Sequence, residues 1–169
     1  MNLAGLSTNT ANVAIGYQAL ENVNPVAVVL SGNQNTAVGT RSGDALTTGY
    51  YNTTMGALSG GASLSTGFQN TLLGHTSTAG GNDNTHVGFS TTSSGDQSTL
   101  LGSSSNVSGS RTNATAIGYR AQVAASNSLV LGSINGVNGA TANTSVGIGT
   151  TTPTARLDVD ADFKLGNNG

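Results

Sequence analysis

The chain has no cysteine and no tryptophan, only two prolines, one glutamate and seven aromatic residues among 169. Without cysteine there are no disulfides and none of the usual zinc sites. Only 7% of residues are charged and the net charge is −2, so no basic run points to nucleic acid. No apolar run reaches the length that crosses a bilayer as a helix. The first ten residues, MNLAGLSTNT, have neither the charged segment nor the long apolar segment of a secretory signal. Intrinsic disorder goes with high net charge and much Pro, Glu and Lys, which this chain also lacks. Gly, Ser, Thr and Asn dominate instead, punctuated by single β-branched residues or Leu. That composition suits short strands joined by tight turns.

The most regular stretch is GFQNTLLGHTSTAGGNDNTHVGFSTTSSGDQSTLLG, residues 67–102. Gly67, Gly74, Gly81, Gly88, Gly95 and Gly102 follow one another in steps of seven. A helical heptad would need apolar a and d positions, and each interior glycine costs a helix about 1 kcal/mol. The heptad is therefore not helical. Five-residue segments ending in glycine recur along the chain: NVAIG at 12–16, NTAVG at 35–39, NTTMG at 52–56, NTLLG at 70–74, NTHVG at 84–88, STLLG at 98–102, ATAIG at 114–118 and SLVLG at 128–132. SVGIG at 145–149 repeats the pattern one register later. The shortest spacing between these terminal glycines is 14. A 14-residue coil is expected, made of two halves of seven, with a glycine accepting positive φ at each corner. One such coil cannot bury its own apolar face, so neighbours stack into a parallel β-solenoid.

The residues before each terminal glycine form columns along the chain. One residue before each terminal glycine stand Ile15, Val38, Met55, Leu73, Val87, Leu101, Ile117 and Leu131, all apolar. This uniformity makes them the expected interior column, joined by the residues three before the glycine, six of which are Thr. Strand alternation then turns the residues two before the glycine outward: Ala14, Ala37, Thr54, Leu72, His86, Leu100, Ala116 and Val130. An outward column this apolar needs cover. Ala14, Ala37, Leu72, His86, Leu100, Ala116 and Val130 are accordingly expected to face partner chains in a cyclic homo-oligomer. Asn12, Asn35, Asn52, Asn70 and Asn84, four before the glycine, suit an asparagine ladder at a corner.

NSLVLG (127–132), NATAIGYRA (113–121) and NVAIGYQAL (12–20) resemble the N-S-V-A-I-G-x-x-S repeat of trimeric autotransporter adhesin heads. The resemblance implies a homotrimeric, left-handed parallel β-roll with 14 residues per coil. It covers roughly residues 10–149, and departs from the adhesin pattern in placing mainly Thr where that repeat has Val. Residues 35–59 also resemble repeats of bacteriophage tail fibres. VGIGTTTPTARLDV (146–159) is similar to the segment that precedes the intramolecular chaperone of such fibres.

Other features are weighed for chemistry. His86 could form a ring of imidazoles on a trimer axis, but a packed histidine is the favoured reading. His75 reads as a turn residue. DVDAD (158–162) lacks the later ligands of a calcium loop and reads as a strand over 157–165 with one apolar and one acidic face. Asp44, Asp83 and Asp96 sit in separate turns and offer no carboxylate pair. Threonine columns raise ice binding, which is set aside because these Thr are expected to point inward. ENVNPVAVVLSG (21–32) breaks the period and reads as an extra strand or loop packed on the roll, with a protruding loop that touches a receptor as the alternative.

The expectation is an all-β parallel solenoid over residues 1–149 and a C-terminal neck over 150–169, where strands from three chains close the trimer. The roll should hold some nine coils with two short strands each, and should stop by Pro153. The function expected is structural and adhesive: a segment of a longer fibre, extracellular, on a virion or a bacterial surface. Its partners are its own copies and a receptor, glycan or protein, whose binding residues the sequence does not name. No cofactor, metal, catalytic residue or membrane span is expected. Alternatives are a secreted solenoid that binds ice or glycan, and a tailspike-type enzyme acting on polysaccharide.

Overall fold

The computed structural model describes residues 11–23, 32–61 and 64–161. Fourteen short strands, numbered in chain order, occur among these residues, and no helix. Eight of them form one parallel sheet: β1 (Val13–Ile15), β2 (Thr36–Val38), β3 (Thr53–Met55), β4 (Thr71–Leu73), β6 (Thr85–Val87), β8 (Thr99–Leu101), β10 (Ala114–Ile117) and β12 (Ser128–Leu131). Four more, β5 (Thr78–Ala79), β7 (Thr92–Ser93), β9 (Asn106–Val107) and β11 (Gln122–Val123), form a second parallel sheet. The chain is thus an all-β parallel solenoid with about 14 residues per turn. Among the described residues the second strand expected in every coil is present only from β5 onward; the described part of that half in the earlier coils is turn, bend and irregular backbone.

The glycine columns serve two different ends. Gly16, Gly39, Gly56, Gly74, Gly88, Gly102 and Gly118, each following a main-sheet strand, have φ between +123° and +152°, and Gly132, after the last of these strands, has +80°. A Cβ on Gly102 would also lie 2.5 Å from the Gly118 carbonyl oxygen of the next coil. The midway glycines Gly67, Gly81 and Gly95 do not have positive φ, contrary to the expectation that each corner needs it. They are required by stacking: a Cβ on Gly67 would stand 2.7 Å from the Gly81 oxygen. The left-handed corners fall instead on Gln69, Thr76, Asp83, Ser90, Gln97 and Ser104, with φ between 53° and 58°. These too recur every seven residues. Each donates its backbone N–H to a carbonyl of the preceding coil, as Asp83 to Phe68 (3.1 Å) and Ser90 to His75 (2.9 Å). A non-glycine residue in this region costs roughly 1 kcal/mol or more, which the coil-to-coil bond helps to offset.

The asparagine ladder forms as expected. Asn52 N–H donates to Asn35 Oδ1, Asn70 N–H to Asn52 Oδ1 and Asn84 N–H to Asn70 Oδ1, each 3.0 Å. The side-chain amides of Asn52 and Asn70 donate to the Gly67 and Gly81 carbonyls at the same corner of the adjoining coil. One buried side chain thereby ties its coil to both neighbours. Ser98 ends the run by donating its N–H to Asn84 Oδ1 at 2.8 Å.

The main ladder ends at Leu131, earlier than the expected residue 149. Residues 133–144 fold back, with Asn138 Nδ2 donating to the Ser104 carbonyl at 2.6 Å. The ninth repeat does not add to β12. Its strand β13 (Val146–Ile148) pairs in parallel with β14 (Leu157–Val159) as a separate two-stranded sheet. The chain therefore supplies its own partner for the segment expected to pair between chains. Asp158 accepts hydrogen bonds from Thr154 N–H (2.7 Å) and Oγ1 (3.0 Å), which lower its pKa. Residues 162–165 of the expected strand, and 24–31 of the expected insertion, lie outside the described residues. Before that gap, Asn22 Nδ2 donates to the Asp44 carbonyl at 2.7 Å.

Candidate interaction face

The structure exchanges the two columns. Leu100 is 0% exposed while its neighbour Leu101 is 47% exposed. Ala37, Thr54, Leu72, His86 and Ala116 are likewise fully buried inside the coil. They cannot face partner chains, which corrects the trimer-facing assignment of Ala37, Leu72, His86, Leu100 and Ala116. Val130 is half-buried against the same core, and Ala14, on the first strand, is exposed. The expected interior column is corrected in turn. Ile15 (60% exposed), Met55, Val87, Leu101 and Leu131 are exposed, and Val38, Leu73 and Ile117 are partly so.

The physical reason is the narrow bore of a 14-residue coil. Its interior side chains must fit the wall seven residues further on. His86 hydrogen-bonds Ser93 across the bore at 2.9 Å. Leu72 and Ala79 belong to one buried cluster, Ala116 and Val123 to another. In each pair a large side chain meets a small one. The interior column therefore varies in size, whereas a column packed on nothing within the chain can stay uniform. Variation in size was the signal that could have identified the interior.

The outward face of the main sheet is a ladder of two columns. Thr36, Thr53, Thr71, Thr85, Thr99 and Thr115 stand in direct register on successive strands. Beside them Val38, Met55, Leu73, Val87, Leu101 and Ile117 do the same. At the two ends the threonine column passes to Val13 and Leu129, and the apolar column to Ile15 and Leu131. No side chain of these sixteen carries a charge. Eight strands at about 4.8 Å spacing make a strip roughly 34 Å long. Tyr17, Phe89 and Tyr119, each following a terminal glycine, are exposed beyond its edge. Phe89 stacks on His75 with ring centroids 5.5 Å apart.

His86 does not reach this face. Its Nε2 bonds Ser93, its Nδ1 has no partner, and burial lowers its pKa to about 4. Asp44 is held by Arg41 Nε at 2.8 Å, and Asp96 Oδ1 accepts the Asn82 N–H at the same distance. Among the described residues no group of three His, Cys, Asp or Glu is placed to hold a metal ion. No helix among them is long and apolar enough to cross a membrane. Neither a protein-family model nor a curated protein matches the chain.

Proposed function

We propose that this chain is a rigid segment of a homotrimeric extracellular fibre, of the kind carried by bacterial surface adhesins and phage tails, that presents a receptor-binding surface. The observation that carries the reading is the uncharged strip of the main sheet. A contiguous apolar face of this kind marks an interaction site. Its occupants are further copies of the same chain, because a rotation axis parallel to the solenoid brings each column to its own counterpart at the same level. The adhesin-like repeats support three copies. The reading assigns the chain no catalytic role.

The test is mass in solution, by light scattering and sedimentation. Wild type should be three times the chain mass. Leu101→Asp should yield folded monomer, because a carboxylate on the strip is solvated once the copies part. Leu100→Asp should instead unfold the coil, since its carboxylate is buried without a partner. A trimeric Leu101→Asp, or a monomeric wild type, would reject the assignment.

Ice binding gains an observation of its own. The threonine column, expected to point inward, lies on the outward face in unbroken register across six strands. A flat array of hydroxyl and methyl groups at fixed pitch is a surface on which ordered water can match. Both readings use the same face and exclude one another. Thermal hysteresis in a monomeric wild type, lost in Thr85→Lys, would favour this second reading.

A further inference from the structure

We infer that the corner preceding each main-sheet strand forms a glycan-binding ridge, which takes an extended, uncharged sugar polymer along the solenoid axis. The inference rests on the receptor-presenting reading above and gives its surface and ligand class.

The ridge is a column of left-handed residues five before the terminal glycines from Gly39 onward. Gln34, Gln69, Asp83, Gln97, Asn113 and Asn127 occupy it, with φ between 51° and 57°. All six are exposed. Nearly equal backbone angles start the six side chains in the same direction, at a pitch of about 4.8 Å where coils are adjacent. That pitch is close to the length of one sugar unit in an extended chain. Amides offer both donors and acceptors, and a carboxylate adds acceptors, which is the complement of a row of sugar hydroxyls.

Backbone conformation does not explain these residue types. Seven residues on, the other left-handed corner has the same φ range but holds Arg41, Leu58, Thr76, Ser90, Ser104 and Arg120, with only Gln18 carrying an amide. A requirement for positive φ would have enriched both corners alike. Ladder bonding within the ridge does not explain them either. Asn113 Nδ2 donates to Asn127 Oδ1 at 3.0 Å, but among the described residues no side-chain hydrogen bond engages Gln69, Asp83 or Gln97.

Both ends of the ridge add to the case. Toward the N-terminal end, Tyr51 takes the ridge position and is exposed. Its ring meets Tyr50 edge-on at 5.4 Å, and Tyr50 stacks on Phe68 at 5.0 Å. This aromatic group offers the apolar surface on which a sugar ring can rest. Toward the C-terminal end, Asn113, Asn127 and Ser128 edge an open depression of about 220 Å³ whose far side, Thr115 and Leu129, is the margin of the strip.

Affinity electrophoresis in gels containing a linear β-glucan, a mannan or N-acetylglucosamine oligomers tests the ridge. Wild type should be retarded by at least one of them. The triple variant Gln69→Gly, Asp83→Gly, Gln97→Gly should lose at least tenfold in affinity while melting no lower than wild type, because glycine accepts positive φ without strain. The matched triple Thr76→Gly, Ser90→Gly, Ser104→Gly makes the same backbone change at the other corner and should bind as wild type does. Tyr51→Ala should weaken binding severalfold. No retardation of wild type by any of the three, or equal loss in both triple variants, overturns the inference. Sedimentation separates the two readings: a monomer that binds glycan sinks the fibre and leaves the ridge, whereas a trimer that binds none sinks the ridge alone.

Discussion

At the residue scale, His86 is the chain's most exacting placement. It sits in register between Leu72 and Leu100, fully buried, with one hydrogen bond to Ser93 and one nitrogen unpaired. Burial lowers its pKa to about 4, against about 6.5 in an unfolded chain. The unfolded state therefore binds the proton first. The stabilisation is complete above pH 6.5 and is lost as pH falls toward 4, by about 3 kcal/mol per chain at most. Urea unfolding at pH 7 and pH 4.5 should show this loss, and His86→Leu, which matches the neighbouring column, should flatten the difference between the two. An unchanged pH dependence in the variant would place the titrating group elsewhere.

At the element scale, the asparagine ladder is the strongest polar device. Asn70 Oδ1 accepts the backbone N–H of Asn84 and its side-chain amide, both at 3.0 Å. Its own Nδ2 donates to Asn52 Oδ1 (3.0 Å) and to the Gly81 carbonyl (3.0 Å). Asn70→Ala strands buried groups on both neighbouring coils, each at about 1–3 kcal/mol. The expected total is about 3 kcal/mol, readable as a lower urea midpoint with an unchanged slope. Hydrogen exchange should rise first at the amide of Asn84. The ladder was legible in the sequence because a recurring Asn at a fixed distance before glycine has few other uses. The second sheet was less legible: β5, β7, β9 and β11 are two residues each, too short for alternation to appear.

At the scale of the whole molecule, the eight-stranded ladder and the C-terminal pair are distinct units. Among the described residues, β13 and β14 pair only with each other, while residues 133–144 are tied back to the coils through Asn138. Removing residues 146–169 should leave the β-sheet circular dichroism of the ladder intact and lower the melting temperature by only a few degrees. Removing residues 133–169 should cost more, because it also frees the Ser104 and Arg120 carbonyls. If both truncations melt alike, the Asn138 contact carries no stability.

The coil follows from residue order alone. Glycines at steps of 14 and 7, and asparagine four before the strand-ending glycine, leave a stacked parallel solenoid as the arrangement that satisfies them all. Residue order did not determine which face of each strand looks inward. Both faces of the main sheet are apolar, so alternation gave no answer, and column uniformity pointed the wrong way at Leu100 and Leu101. The width of the bore, which exists only once the coils have closed, settles it. The interior must fit together side chains from opposite walls, as it does a large one with a small one at His86 and Ser93. That constraint links residues on opposite walls, so no single column displays it. The fate of SVGIG was likewise a tertiary matter. It carries the repeat's pattern, but pairing with Leu157–Val159 claims its backbone groups, and among the described residues no ninth strand joins the ladder.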